Sequence, residues 1–129
     1  HVKNLHSQGY KIGLISNTGM TPGRLFRRYL DSLGLLDFFT VLTFSDEVEL
    51  TKPTVEIFHM TVRKLGVDKE DVVHVGDHIL NDVVGAHRAG IRVILVGDAI
   101  GKEPIENPEV HVAKLGEVEY AVKAMADSY

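Results

Sequence analysis

The chain has 129 residues, 44% apolar and 25% charged, which is the composition of a folded domain with the length for a hydrophobic core and not of a disordered chain. Lysine plus arginine number 14 against 18 acids, a net charge of −4 with no basic block, so nucleic acid and anionic membrane are poor partners. There is no cysteine, which rules out disulfides and thiolate metal sites, and no apolar run approaches the roughly 18 residues of a membrane span.

The first residue is His1, the first methionine is Met20, and nothing before it reads as a signal peptide, which points to a cytoplasmic protein. Val2 to Ser7 reads as the tail of a helix feeding a first strand, Lys11–Ser16, so further structure is expected upstream. Phe26, Tyr29, Leu30 and Leu33 recur at i, i+3, i+4, i+7 and predict a helix with that apolar face. Strand Val41–Phe44 follows. Pro53 marks the start of the next helix, where a missing N–H is tolerated, and Phe58, Thr61, Val62 and Leu65 form its apolar face. Strand Val72–Gly76 leads to a helix end rich in small residues, Gly85, Ala86, Ala89 and Gly90, read as close packing of helix on sheet. Strand Arg92–Val96 precedes a surface loop, Gly97 to Val110, with Pro104, Asn107 and Pro108. A weak strand, His111–Leu115, and a helix with Val118, Ala121, Val122 and Met125 inward close the chain. Gly9, Gly34, Gly66 and Gly90 follow the periodic stretches as stop signals. Strands alternating with amphipathic helices predict a parallel α/β sheet in one domain over residues 1–129, without repeats or a long linker.

In an open parallel sheet, ligands bind beyond the carboxyl ends of the strands. Those ends carry Ser16-Asn17-Thr18, Ser45-Asp46-Glu47, Gly76-Asp77 and Asp98, with Lys52 as a nearby cation. Hydroxyl and backbone N–H groups bind phosphoryl oxygens, a lysine offsets their charge, and carboxylates hold Mg²⁺ through oxygen. Taken singly, Ser16, Asn17, Thr18 and Asp77 are also ordinary turn formers and helix caps. It is their joint placement at successive strand exits that points to chemistry. Competing motifs fall away. No G-x-G-x-x-G follows the first strand, and Gly97-Asp98-Ala99-Ile100-Gly101-Lys102 is one residue short of a phosphate loop and continues with Glu103 instead of a hydroxyl. Ser16 lacks the G-x-S-x-G elbow of a nucleophilic serine. A zinc site of His74, Asp77 and His78 is disfavoured because His74 lies in a strand on the face opposite Asp77, where a buried, hydrogen-bonded histidine is expected. His59 and His87 read as packing or surface residues.

Ile15-Ser16-Asn17-Thr18, Thr51-Lys52-Pro53 with Ile57-Phe58, and the run from Val75-Gly76-Asp77 through Asn81-Asp82 to Ala89-Gly90 together resemble the second, third and fourth motifs of the haloacid dehalogenase-like hydrolase superfamily, in order and with ordinary spacing. The resemblance covers nearly the whole chain and implies a Rossmann-like three-layer α/β sandwich with a mostly parallel sheet, in a Mg²⁺-dependent phosphohydrolase acting on a small phosphorylated substrate. By that resemblance Ser16 hydrogen-bonds the transferring phosphoryl group with help from the backbone N–H of Asn17. Lys52 neutralises charge there, Asp77 is a metal ligand, and Asp82 orients the metal shell or Lys52. Such positioning and charge stabilisation is what phosphoryl transfer needs.

The departures are as informative. The family's first motif, Asp-x-Asp, supplies the nucleophile, the general acid and two metal contacts, yet the first aspartate here is Asp31, on a predicted helix. The helical cap between the first two motifs is also absent. Thr51 stands where glycine is common, and Thr54-Val55 where Asp-Pro is common. The strand bearing the first motif lies centrally in the family, between the strands ending at Ser16 and Asp77. Without it the expectation is a rearranged sheet, or completion by a homodimer partner or an N-terminal segment. The leading reading is the rear part of a phosphohydrolase core, inactive alone. The alternative is a non-catalytic binding or regulatory module on the same scaffold. A receiver-like signalling domain fits less well, since its first-strand acidic pair is missing too.

Overall fold

The computed structural model describes residues 2–18, 22–97 and 107–126. They fall into two compact units, Val2–Gly66 and the residues from Val67 on. Asp98 and most of the loop with Pro104 lie outside the described residues.

In the first unit, helix α1 (Val2–Ser7) leads to strand β1 (Gly13–Ser16), helix α2 (Gly23–Ser32), strand β2 (Val41–Phe44), the short helix α3 (Ser45–Val48) and helix α4 (Val55–Leu65). β1 and β2 pair in parallel, with Gly13 opposite Val41 and Ser16 opposite Phe44, so both strands end at the same level. α4 packs on both strands through Ile57, Phe58, Thr61, Val62 and Leu65, all buried, as its periodicity predicts. A polar pair in that contact is satisfied internally. The Thr43 and Thr61 hydroxyls are 2.8 Å apart, and Thr61 also donates to the Ile57 carbonyl at 2.9 Å. Gly66 ends α4 at φ 73°, and the Lys11 ammonium donates to the Leu65 carbonyl at 3.1 Å, a cation on the negative end of the helix.

Several sequence expectations change in this unit. β1 starts at Gly13 and not at Lys11. Pro53 does not open α4; it follows a cis peptide bond from Lys52 in the turn before it, and Thr54 precedes the first helical residue. α2 does not bury the face read from its spacing. Tyr29 and Leu33 are exposed at 61% and 53%, whereas Phe26 stacks on the fully buried Phe44 ring with centroids 5.7 Å apart. The reason lies at the start of the helix. A Cβ on Gly23 would come within 2.8 Å of Phe44 and of the Glu47 carboxylate, so the backbone of α2 approaches β2 and α3 at that residue. Arg27 reinforces the contact from the next turn, lying 5.1 Å from the Phe44 ring centroid and 2.6 Å from Glu47.

In the second unit, strand β3 (Val73–Gly76) is followed by a π-helical turn (Ile79–Val84) that runs into helix α5 (Gly85–Arg88), then by strands β4 (Arg92–Val96) and β5 (Val110–Val112) and helix α6 (Val118–Ala126). The three strands are parallel in the order β3-β4-β5. β4 is central, and Val93, Ile94 and Leu95 are buried, as a parallel strand covered on both faces requires. Of the small residues, Gly85, Ala86 and Ala89 are buried, as close packing requires, whereas Gly90 is exposed and follows α5 at φ 79°. α6 packs on β4 with Val118, Ala121, Val122 and Met125 buried, the face its spacing gives. β5 is shorter and earlier than the predicted His111–Leu115. It is fixed by Glu109, which accepts the Val93 N–H at 2.8 Å and pairs with His87 at 2.6 Å. Partial burial pushes the Glu109 carboxyl up, but the bonds from His87 and Val93 outweigh it and hold it below the ordinary carboxylate range.

β1–β2 and β3–β4–β5 are separate ladders. Among the described residues no helix is long and apolar enough to cross a membrane.

Gly23→Ala tests the close approach of α2. It is expected to cost about 1–3 kcal/mol in urea unfolding, the range for overpacking a filled contact, whereas the exposed Tyr29→Ala should cost less than about 0.5 kcal/mol.

Candidate active site

The first unit brings Ser16, Asn17 and Lys52 to one strand end. Ser16 is the last residue of β1 and half-buried. Asn17, the next residue, reaches across to the turn before α4. Its side-chain oxygen accepts the Lys52 N–H at 2.8 Å, and its side-chain nitrogen donates to the Lys52 carbonyl at 3.2 Å. One carboxamide thus satisfies both backbone groups of the predicted cation-bearing residue. The resemblance assigned Asn17 through its backbone only, and this side-chain contact is new.

A second tie runs from Thr18 to the exit of β2. The Thr18 N–H donates to the Ser45 hydroxyl at 2.7 Å, and the Thr18 hydroxyl donates to Asp46 at 2.8 Å while accepting the Asp46 N–H at 3.0 Å. Asp46 also accepts the Gly23 N–H through both carboxylate oxygens at 3.1 Å. The first turn of α2 carries no acid of its own, and Asp46 supplies one from β2's exit. The bond from the Thr18 hydroxyl, then the Gly23 N–H, hold the Asp46 carboxyl below the ordinary carboxylate range. The sequence reading placed Ser45, Asp46 and Thr18 at strand exits but did not join them.

The second unit holds Asp77 and Asp82. Asp82 is 2% exposed and its carboxylate is fully engaged. One oxygen accepts the N–H groups of Asp77 at 3.2 Å and His78 at 3.0 Å; the other lies 2.8 Å from the His74 imidazole. A Cβ on Gly76 would collide with this carboxylate, so glycine is what lets it lie beneath the strand end. His74 is therefore hydrogen-bonded as expected, with Asp82 as its partner, but it is half-buried and not fully buried. Asp77 is not the cap of the turn that follows. His78 takes that place, its Nδ1 accepting the Asn81 N–H at 3.1 Å, which leaves the Asp77 carboxylate exposed at the strand exit.

This donor set bears on a divalent cation. Asp77 offers one exposed carboxylate, of the oxygen type Mg²⁺ takes. Asp82 acts on the loop that carries Asp77 and has no oxygen without a protein partner, which fits an indirect role. Among the described residues no group of three or more histidines or acids could hold a metal.

The haloacid dehalogenase-like hydrolase family matches residues 1–96. The chain is 38% identical over 113 residues to a glyceraldehyde 3-phosphate phosphatase of Methanothermobacter thermautotrophicus, covering 88% of this chain and 47% of that protein. It is 36% identical over 106 residues to the pyrophosphatase PpaX of Halalkalibacterium halodurans, covering 79% and 46%. Among solved structures, a phosphatase of the same superfamily from Thermococcus onnurineus superposes with a TM-score of 0.79 at 31% identity, covering 94% of this chain and 54% of that one. The chain thus spans about half the length of the relatives it matches.

Two measurements test these arrangements. Asp82→Ala leaves two N–H groups and His74 without their shared acceptor and is expected to cost about 2–4 kcal/mol in denaturant unfolding. Asp46 has a folded-state pKa below its unfolded value, so its contribution is full above the unfolded pKa and is lost as pH falls through the folded one. The stability difference between wild type and Asp46→Asn should therefore be constant near neutrality and shrink below roughly pH 4. A difference that grows on acidification would contradict the assignment.

The matched family, the relatives at 36–38% identity and the parallel α/β strand exits agree: this chain is part of a haloacid dehalogenase-like hydrolase with the Rossmann-like fold of its phosphatases.

Proposed function

We propose that the chain is the phosphate-handling part of a Mg²⁺-dependent phosphohydrolase that acts on a small phosphorylated metabolite in the cytoplasm. The observation that carries this reading is the tie between Asn17 and Lys52, which fixes a cation-bearing residue to the residue following Ser16 at a parallel strand exit. In this reading the Ser16 hydroxyl and the Asn17 N–H bind phosphoryl oxygens, and Lys52 offsets the charge that builds on them in the transition state. Asp77 contributes one oxygen ligand to the cation, with the remaining ligands coming from elsewhere in the protein, from substrate and from water. Relatives named as phosphatases of glyceraldehyde 3-phosphate and of pyrophosphate support a phosphoryl substrate without choosing among metabolites.

The nucleophile in this reading is an aspartate outside these 129 residues. Its carboxylate oxygen attacks phosphorus and the substrate's ester oxygen leaves with a proton. Water then cleaves the resulting acyl phosphate to release phosphate and restore the carboxylate, which divides one difficult displacement into two easier ones.

An assay with p-nitrophenyl phosphate and Mg²⁺ tests the proposal. The 129-residue chain should show no turnover above buffer. The full-length protein should hydrolyse the ester and lose about 10²-fold or more in kcat on Lys52→Ala. Turnover by the short chain would overturn the external nucleophile, and an inert full-length protein would replace the enzyme with a non-catalytic binding module.

A further inference from the structure

We propose that Asn17 is a positioning residue for Lys52, acting through the lysine's backbone, and that its side chain does not bind the anion. This rests on the phosphate-handling reading for its purpose and on geometry for its content. Lys52 lies in a turn of non-repetitive backbone between α3 and α4, where no strand ladder or helix defines its place. Asn17 supplies the equivalent of a strand neighbour. Its carboxamide presents a donor and an acceptor in one plane and meets both backbone groups of Lys52 across 35 residues of sequence. Those two bonds engage the side-chain oxygen and one side-chain N–H.

Thr18 makes the arrangement stiffer. Held by Ser45 and Asp46 on one side, the residue next to Asn17 is anchored to the end of β2, so Asn17 clamps Lys52 from a fixed base. The lysine's backbone is thereby referred to the ends of β1 and β2 and not to its own turn. An isosteric acid separates the two bonds. Asn17→Asp keeps the acceptor for the Lys52 N–H and loses the donor to the Lys52 carbonyl, whereas Asn17→Ala loses both.

Amide hydrogen exchange on the folded chain, read residue by residue by NMR, tests the clamp. Asn17→Ala should speed exchange at Lys52 about five- to tenfold while Leu42 and Thr43 in β2 are unchanged, and Asn17→Asp should leave Lys52 near its wild-type rate. Unchanged exchange at Lys52 in Asn17→Ala would overturn the proposal, as would equal acceleration in both variants. A titration with inorganic phosphate adds a double-mutant cycle. Asn17→Ala should weaken phosphate severalfold when Lys52 is present and add nothing in a Lys52→Ala background. Additive losses would show that Asn17 contacts the anion itself and would also overturn the proposal. Absence of phosphate binding by the wild-type chain would count against the phosphate-handling reading, and the exchange experiment would still decide the clamp.

Discussion

A parallel strand that stops after four residues leaves backbone donors at its exit with no ladder partner, and donors shielded from water must be paired. This constraint organises both units. At the exits of β1 and β2 the Ser45 hydroxyl accepts the Thr18 N–H and the Thr18 hydroxyl accepts the Asp46 N–H, while the Asn17 and Asp46 side chains serve the backbone of Lys52 and Gly23 beyond the strands. At the exit of β3 the partner is the Asp82 carboxylate, which accepts from the two residues that follow the strand. The residues that settle this backbone accounting are neighbours of the residues proposed for chemistry, and in Asn17 and Asp82 the two sets overlap.

The division of labour among the acids follows from that accounting. A buried carboxylate is tolerable when hydrogen bonds replace its lost hydration, and Asp82 meets that condition with three partners. Both of its oxygens already serve the protein. Asp77 is the reverse, an exposed carboxylate whose own N–H is held in place from below. Asp46 is a third case, an acid at a helix start that supplies the negative charge α2 lacks in its first turn. Residue type would treat the three alike, and their surroundings separate them.

Much of this was legible in the sequence, for identifiable reasons. Period-2 and period-3.6 patterns located β2, β4, α4 and α6 because those elements bury one face or both. The motifs around Ser16 and Asp77 located the exits of β1 and β3 because short-range order fixes them. The exposed Tyr29 and Leu33 were misread because spacing shows which residues share a helix face and not whether the helix lies flat on the sheet. α2 meets β2 near its start, through Gly23, Phe26 and Arg27. Pro53 was placed two residues too far into α4 because a proline that suits the first helical turn suits the preceding turn equally well. The ties Asn17–Lys52, Thr18–Asp46 and His74–Asp82 join residues 8 to 35 apart, and no local pattern encodes the pairing. The available signal was coarse, hydroxyl and amide groups at one strand exit facing acids and backbone at the next.

The meeting of Gly76 and Asp82 has a consequence for how this sequence can vary. The space that any side chain at position 76 would occupy is already filled by the acid at position 82, so the two positions share a single volume. A chain that enlarges one must shrink the other, and a shrunken residue 82 no longer reaches the backbone after β3. Routes through sequence space that change these positions one at a time therefore pass through a defective intermediate, and the pair should drift as a unit or stay fixed.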